Sequence, residues 1–458
     1  MRKNKLLALG LAALMAASVA GCSTPSASVD DTKAAESGSD SSQSAAAGEK
    51  IFRYSNLADI ATIDPDKTNS VADATVSYHI YDGLYRNVQG ELQPATAESY
   101  EVSDDGLVYT FKLRQDTKWS DGQTVTAKDY EYGMKRLCDP AAACPSSYLG
   151  AVLKNGAKVS SGELSVDELG VKALDDFTLE ITLENSADYF VSMTSMSAFM
   201  PVREDLVEKY GNEFGGSADK QVYNGPFVVS EYSNGKVELT KNPDYYDNEK
   251  ISLDGVEILT VADQTTAVSM FDAGELDLAE VPTELAAQYE GKTQSYYSGA
   301  DDYAALNHRN KYLANKNLRL AMNYAVNREE YILLTHNGLY QANQRYVLPQ
   351  VRGVDGEYGT EYPLEAFPLQ GDMDKAKEYL DTALSELGLS SASDISLKLV
   401  VSDSDTAKKE AEVVANQWKN NLGINVDINM VPYATRNALL VPDSDEYDII
   451  MSGWAPDY

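Results

Sequence analysis

The chain has 458 residues, of which 43% are hydrophobic and 9% aromatic, enough apolar material for a real core and against wholesale disorder. At ~150 residues per domain the length corresponds to about three domains. Lys+Arg 38 against Asp+Glu 71 leave a net charge of −33. Such a surface repels polyphosphates and anionic headgroups, which argues against nucleic-acid binding and gives the acidity the role of keeping the protein soluble.

In chain order, Arg2, Lys3 and Lys5 precede an apolar run from Leu6 to Ala17. The run is too short to span a bilayer as a permanent helix and reads as a secretion signal, residues 1–21. Val19-Ala20-Gly21-Cys22 resembles the lipobox of bacterial lipoproteins, which implies lipid attachment at Cys22 and a site on the outer face of the cell membrane. Residues 22–49 are rich in Ser, Ala, Asp, Gly and Thr and cannot bury enough apolar surface to order themselves, so they form a tether. Cys138 and Cys144 flank Asp-Pro-Ala-Ala-Ala. Outside the cytosol so close a pair is expected to be a disulfide. The three histidines, His79, His308 and His336, are far apart and have no metal-ligand spacing.

The body opens with a strand at Ile51–Leu57. Leu107, Tyr109, Phe111 and Leu113 alternate as a strand after an Asp105-Gly106 turn, and Phe177, Leu179, Ile181 and Leu183 repeat the pattern after Asp175-Asp176. Two such hairpins fit one antiparallel sheet. Between them Thr126-Ala-Lys-Asp129 reads as a capping box. Farther on, Leu318, Ala321, Met322 and Ala325 make a helical stripe. Asp374 opens another helix that Gly388 stops. Ile395 to Val401 alternates as a strand, Ala407 to Leu422 has helical spacing, with Asp403 or Asp405 as its expected cap, and Ile424 to Met430 alternates again. Strand, helix and strand in this order form a parallel βαβ unit, and Tyr447–Met451 is expected to join its sheet. The fold class is therefore α/β with a mixed α+β front half.

Asp82-Gly-Leu-Tyr85, Gly90-Glu-Leu-Gln-Pro94, Ala97-Glu-Ser-Tyr100, Tyr109-Thr-Phe-Lys-Leu-Arg114 and Lys118-Trp-Ser-Asp-Gly122 resemble, in this order, the solute-binding proteins of peptide ABC importers. Tyr223-Asn-Gly-Pro-Phe227 and Asn317-Leu-Arg-Leu-Ala321 extend the resemblance, which covers Ile51 to Tyr458. It implies a two-lobed periplasmic-binding-protein-like fold with an additional small subdomain: lobe I in 50–77 and 207–300, an inserted subdomain in 78–206, and lobe II in 301–458. In the resembling proteins the chain continues beyond this point, so lobe II is expected to be incomplete.

Ligands of open α/β sheets sit beyond the carboxyl ends of strands, here Ser402–Asp405 and Gly453-Trp454. The resemblance assigns Asp457, in Gly453-Trp-Ala-Pro-Asp-Tyr458, to the ligand α-amino group. A carboxylate there makes a charge-assisted hydrogen bond to an ammonium, while Trp454 covers an extended chain. Ala455 and Tyr458 complete the segment, and Pro456 removes one backbone N–H. Asp59, Ile60 and Ala61 fall where the resembling proteins add a ligand strand by β-augmentation. Among the 30 tyrosines, Tyr303 is the candidate pocket wall. Asn224-Gly225-Pro226 reads as an ordinary turn.

No Gly-x-Ser-x-Gly, Walker loop or HExxH occurs, and no enzyme activity, metal or cofactor is expected. A secreted two-carboxylate hydrolase fits the composition as a rival class, as does an adhesin. Turnover separates the first, and saturable small-ligand binding the second. The resemblance implies a monomer that captures oligopeptides and passes them to permease subunits. Relatives that take dipeptides, oligosaccharides or haem keep the solute open, and the shortage of histidine disfavours nickel.

Overall fold

The computed structural model describes residues 49–68, 70–233, 235–296, 298–364, 367–440 and 444–455. Cys22, the signal and all but the last residue of the tether lie outside the described residues. So do Asp457 and Tyr458.

After β1 (Ile51–Asn56), the helix Val71–Ile80 leads to a short pair, β2 (Tyr85–Val88) and β3 (Glu91–Pro94). The strands β4 (Ala97–Val102) and β5 (Val108–Leu113) form the hairpin around Asp105-Gly106, and β6 (Val171–Asp175) and β7 (Thr178–Thr182) form the second. Gly106 takes a φ of 70°, which favours glycine. The two hairpins share one antiparallel sheet in the order β4-β5-β7-β6. Phe111 stands directly opposite Leu179, and both are fully buried, so their alternation fixes which face turns inward. The helix Ala127–Cys138 packs on this sheet, its start fixed by the Thr126 N–H donating to Asp129 Oδ2 at 2.7 Å.

The strands β8 (Phe227–Ser233), β9 (Lys236–Lys241) and β10 (Gly255–Thr260) follow, and β1 joins them in the order β1-β10-β9-β8, parallel to β10. One hydrophobic core runs through both sheets, from Tyr54 to Ile258. Two sequence blocks far apart meet in it. Asn224, fully buried, accepts the Asp82 N–H with Oδ1 and donates to the Asp82 carbonyl with Nδ2, each at 3.0 Å. The Gly225 N–H donates to the Ile80 carbonyl at 2.9 Å, and a Cβ on Gly225 would come within 2.5 Å of Ile80 and Tyr81 backbone atoms. Asn224-Gly225 is thus more than a turn: it clasps the chain where it leaves the helix Val71–Ile80.

A buried charge cluster adds a second tie. Arg136 donates to Asp64 at 2.6 and 2.8 Å and to Asp66 at 2.8 Å. One guanidinium serves two carboxylates, and Asp66 Oδ1 has no hydrogen-bond partner among the described residues. Burial, with the Asp64 charge beside it, pushes the Asp66 carboxyl up to about 7 against the attraction of Arg136.

The expected disulfide is not formed. Cys138 and Cys144 are both buried free thiols, pushed up by burial to about 11 and about 12. Each sulfur has its own place: Cys138 Sγ fills the space that a side chain on Gly150 would need, and Cys144 Sγ donates to the Arg136 carbonyl at 3.5 Å.

A second core gathers residues from Leu313 to Ile449. Its sheet contains β11 (Asp301–Leu306), β12 (Ser396–Ser402), β13 (Asn425–Val431) and β14 (Ile449–Trp454) in the order β11-β14-β12-β13. The β12–β13 pair is parallel and joined by the helix Asp405–Leu422, the expected βαβ unit. Trp418 Nε1 donates to the Met322 carbonyl at 2.9 Å, which ties this helix to the helix Lys316–Tyr324. The caps differ from expectation by a residue or two. Ser404, with Oγ 3.2 Å from the Ala407 N–H, caps the first helix in place of Asp403 or Asp405, and Asp372 replaces Asp374 on Met373–Leu387. In each case the residue with extended backbone, just before the first helical turn, is the one whose oxygen reaches inward. No helix among the described residues is long and apolar enough to cross a membrane.

Gly225→Ala is expected to lose about 1–3 kcal/mol in urea unfolding, because only backbone borders the site and backbone cannot swing away. The folded chain holds the Asp66 proton more tightly than the unfolded chain, whose Asp titrates near 3.8. That contribution to stability is complete below about pH 4 and is lost as the pH rises through about 7. Melting temperature measured across this window should fall less in Asp66→Asn than in the parent.

Candidate functional site

The site is built on the carboxyl end of β14. Ile449 and Ile450 are fully buried, so the strand starts in the middle of its sheet. It pairs with β12 only at Leu399–Ile449 and Val400–Ile450, whereas β11 accompanies it to Asp301–Trp454. The last residues of β14 therefore project past β12 with a neighbour on one side. Open α/β sheets place ligands in a crevice beyond strand ends of this kind.

Directly opposed residues of an antiparallel pair share a face. Trp454 thus stands with Asp301, and Ser452 with Tyr303, on one face, and Gly453 with Asp302 on the other. Trp454 is 50% exposed. The Tyr303 ring meets Tyr346 edge-on, with centroids 5.2 Å apart. Asn343 Nδ2 donates to Asp301 Oδ1 at 3.1 Å, and Arg436 Nη1 donates to Ser452 Oγ at 2.7 Å from under the Tyr433 ring. On the other face Asp302 reaches water, yet the protein crowding it, more than the Glu410 charge, holds its carboxyl above the usual range. His336 Nε2 lies 3.0 Å from Glu410 Oε1, and its ring stacks on Tyr340 at 4.0 Å. Exposed rings beside fixed polar groups suit the covering of an extended, partly polar ligand. Among the described residues no group of three or more His, Cys, Asp or Glu could hold a metal ion.

Of the sequence candidates, Tyr303, Gly453, Trp454 and Ala455 come together here. Asp59, Ile60 and Ala61 lie apart from these residues in the chain's first half, where Ile60 packs against the first core while Asp59 and Ala61 are exposed. No strand ladder among the described residues takes them up. The Ile60 carbonyl accepts from Tyr232 Oη at 2.9 Å and the Ala61 N–H donates to Asp73 Oδ1 at 2.7 Å. The backbone groups of Asp59 have no partner among the described residues. Tyr346, Asn343, Asp301 and Arg436 escaped sequence reasoning. Asp301 alone carried a signal, as the start of the strand that holds Tyr303; the other three come from a loop and a short helix without periodicity.

The chain belongs to the bacterial extracellular solute-binding proteins, family 5, whose model for the middle region matches residues 91–458. Its architecture is the two-lobed α/β fold of periplasmic binding proteins. The oligopeptide-binding protein OppA of Bacillus subtilis is 31% identical over 407 residues, 87% of this chain and 73% of that protein. The dipeptide-binding protein DppE of the same organism is 30% identical, over 100% of this chain and 82% of its own. Listeria monocytogenes OppA bound to peptide superposes with a TM-score of 0.74 at 30% identity, covering 90% of this chain and 82% of that one. Haemophilus influenzae OppA in complex with RPPGFSPFR gives 0.72 at 27% identity, covering 90% and 81%.

A Cβ on Gly453 would lie 2.5 Å from Asp302 Oδ1, the free end of a flexible side chain. Asp302 can turn aside, so Gly453→Ala should remain within about 0.5 kcal/mol of the parent in urea unfolding.

Proposed function

We propose that the protein is a lipid-anchored capture component that binds oligopeptides and delivers them to an ABC import permease. The observation that carries this reading is the half-exposed Trp454 at the projecting end of β14, in a chain similar along 90% of its length to a peptide-bound OppA. Asp457 takes the peptide α-amino group, Trp454 and Tyr303 cover its first residues, and the unpaired peptide groups of Asp59 bond its main chain. Main-chain and terminal contacts are common to all peptides, so one site serves many sequences while water fills the side-chain pockets. Lobe I (50–77 and 207–300), carrying the subdomain 78–206, closes on lobe II (301–458) by a hinge motion. Cys22 carries the lipid that keeps the body, as a monomer, at the outer face of the membrane. The protein binds and releases its ligand unchanged, and the importer's ATPases use the ATP.

Mass spectrometry of ligands released from natively purified protein should find peptides; a bile acid, a sugar or haem in their place would remove the peptide assignment. In calorimetry Asp457→Ala should weaken free-amine peptides at least about tenfold, since breaking a buried ligand ion pair costs ~2–5 kcal/mol, and leave N-acetylated peptides nearly unaffected. Equal loss for both would take the amine contact away from Asp457.

A further inference from the structure

At the far end of β11 from Trp454, a recess of about 360 Å³ is lined by Leu306, His308, Lys316, Arg319, Leu320 and Asn323. Trp454 pairs with Asp301, and Leu306 ends the same strand ~17 Å away at 3.4 Å per residue, so this is a different place from the ligand crevice. All of its polar side chains are nitrogen donors. Among the described residues no carboxylate lines it, in a chain of net charge −33. The reason is local: from Tyr303 to Arg328 the sequence has no Asp or Glu, against five Lys and Arg.

The geometry keeps the donors available. Arg319 Nη1 is held by the Leu313 and Ala314 carbonyls at 2.6 and 2.9 Å, which fix the guanidinium without neutralising it. Asn323 accepts from Arg328 through Oδ1, which leaves its NH2 group as a donor. Lys316 and His308 are exposed and have no partner among the described residues. The acids beside this stretch make their own contacts: Glu386 accepts from Asn315 and Asn317 at 2.8 and 2.9 Å, Asp448 accepts from Asn310 at 2.6 Å, and Asp445 lies 3.8 Å from Arg309. Charges farther than about 8 Å are largely screened at physiological salt, so the chain's net charge does not by itself decide which ion the recess takes.

We propose that this recess binds a phosphate-type oxyanion between Lys316, Arg319 and His308. A guanidinium, an ammonium and an imidazole lining one recess can together donate to the several acceptor oxygens of such a group. The source is either a free phosphate or the headgroup of an anionic lipid. The proposal is independent of peptide binding.

The test uses the full chain carrying Cys22→Ala, so that no acyl group confuses lipid binding. Inorganic phosphate is titrated by calorimetry, and phosphatidylglycerol and phosphatidylcholine vesicles are sedimented with the protein. Both are repeated with Lys316→Gln and with His308→Gln added to it. These side chains are exposed and make no internal bonds, so melting should be unchanged. A free-phosphate site gives saturable heat, with affinity falling about tenfold or more in Lys316→Gln on loss of a charge-assisted bond. A headgroup site gives no such heat, and co-sedimentation with phosphatidylglycerol alone that the variants lose. Absence of both signals, or binding that the variants keep at full strength, overturns the proposal.

Discussion

The placement of β14 is the constraint on which the site depends. A strand between an antiparallel and a parallel neighbour must satisfy two ladders at once, and both faces of Ile449 and Ile450 are sealed in the process. Sliding β14 by one residue would turn its inward set outward, so the register is strongly fixed. The same register makes the strand outrun β12 and carries Gly453 and Trp454 into the crevice. The exposure of the indole is thus a product of the buried pair that precedes it.

The front half solves a different problem, that of joining two sheets through one core. Apolar burial supplies the bulk of the stabilisation but is non-directional. Direction comes from a few buried polar ties: Asn224 satisfying both peptide groups of Asp82, and Arg136 drawing the Asp64–Asp66 segment onto the helix Ala127–Cys138. Buried polar groups are costly unless paired, so such ties tolerate few alternative arrangements. Asp59 to Ala61 lie just before this clamp, and their backbone is partly used in holding the loop. Only the remaining peptide groups stay available to a partner.

Charge in this molecule also separates by scale. The net −33 belongs to the whole chain, whereas the stretch 303–328 carries five Lys and Arg and no Asp or Glu. Short screening lengths allow both to hold in one protein.

Several features were decided by sequence alone, because they depend on neighbours a few residues apart. The alternation in Tyr109–Leu113 and Leu397–Val401, the stripe from Leu318, the Thr126–Asp129 box and the glycine stops all follow from local geometry with periods of 2 and 3.6. The Gly453-Trp454 segment was legible as a strand end, and Ile449 and Ile450 as its buried part, while Met451, expected with them, is only half-buried. Tertiary structure decided what depends on residues distant in the chain. It set Tyr303 beside Tyr346 and Arg436 beside Ser452, because these contacts arise from strand order and loop paths that no local period encodes. It turned Cys138 and Cys144 into separate thiols, since spacing shows proximity but not the direction of the sulfurs. It also made Asn224-Gly225 a clasp on Asp82, because the fit of a glycine is settled by the backbone that packs against it.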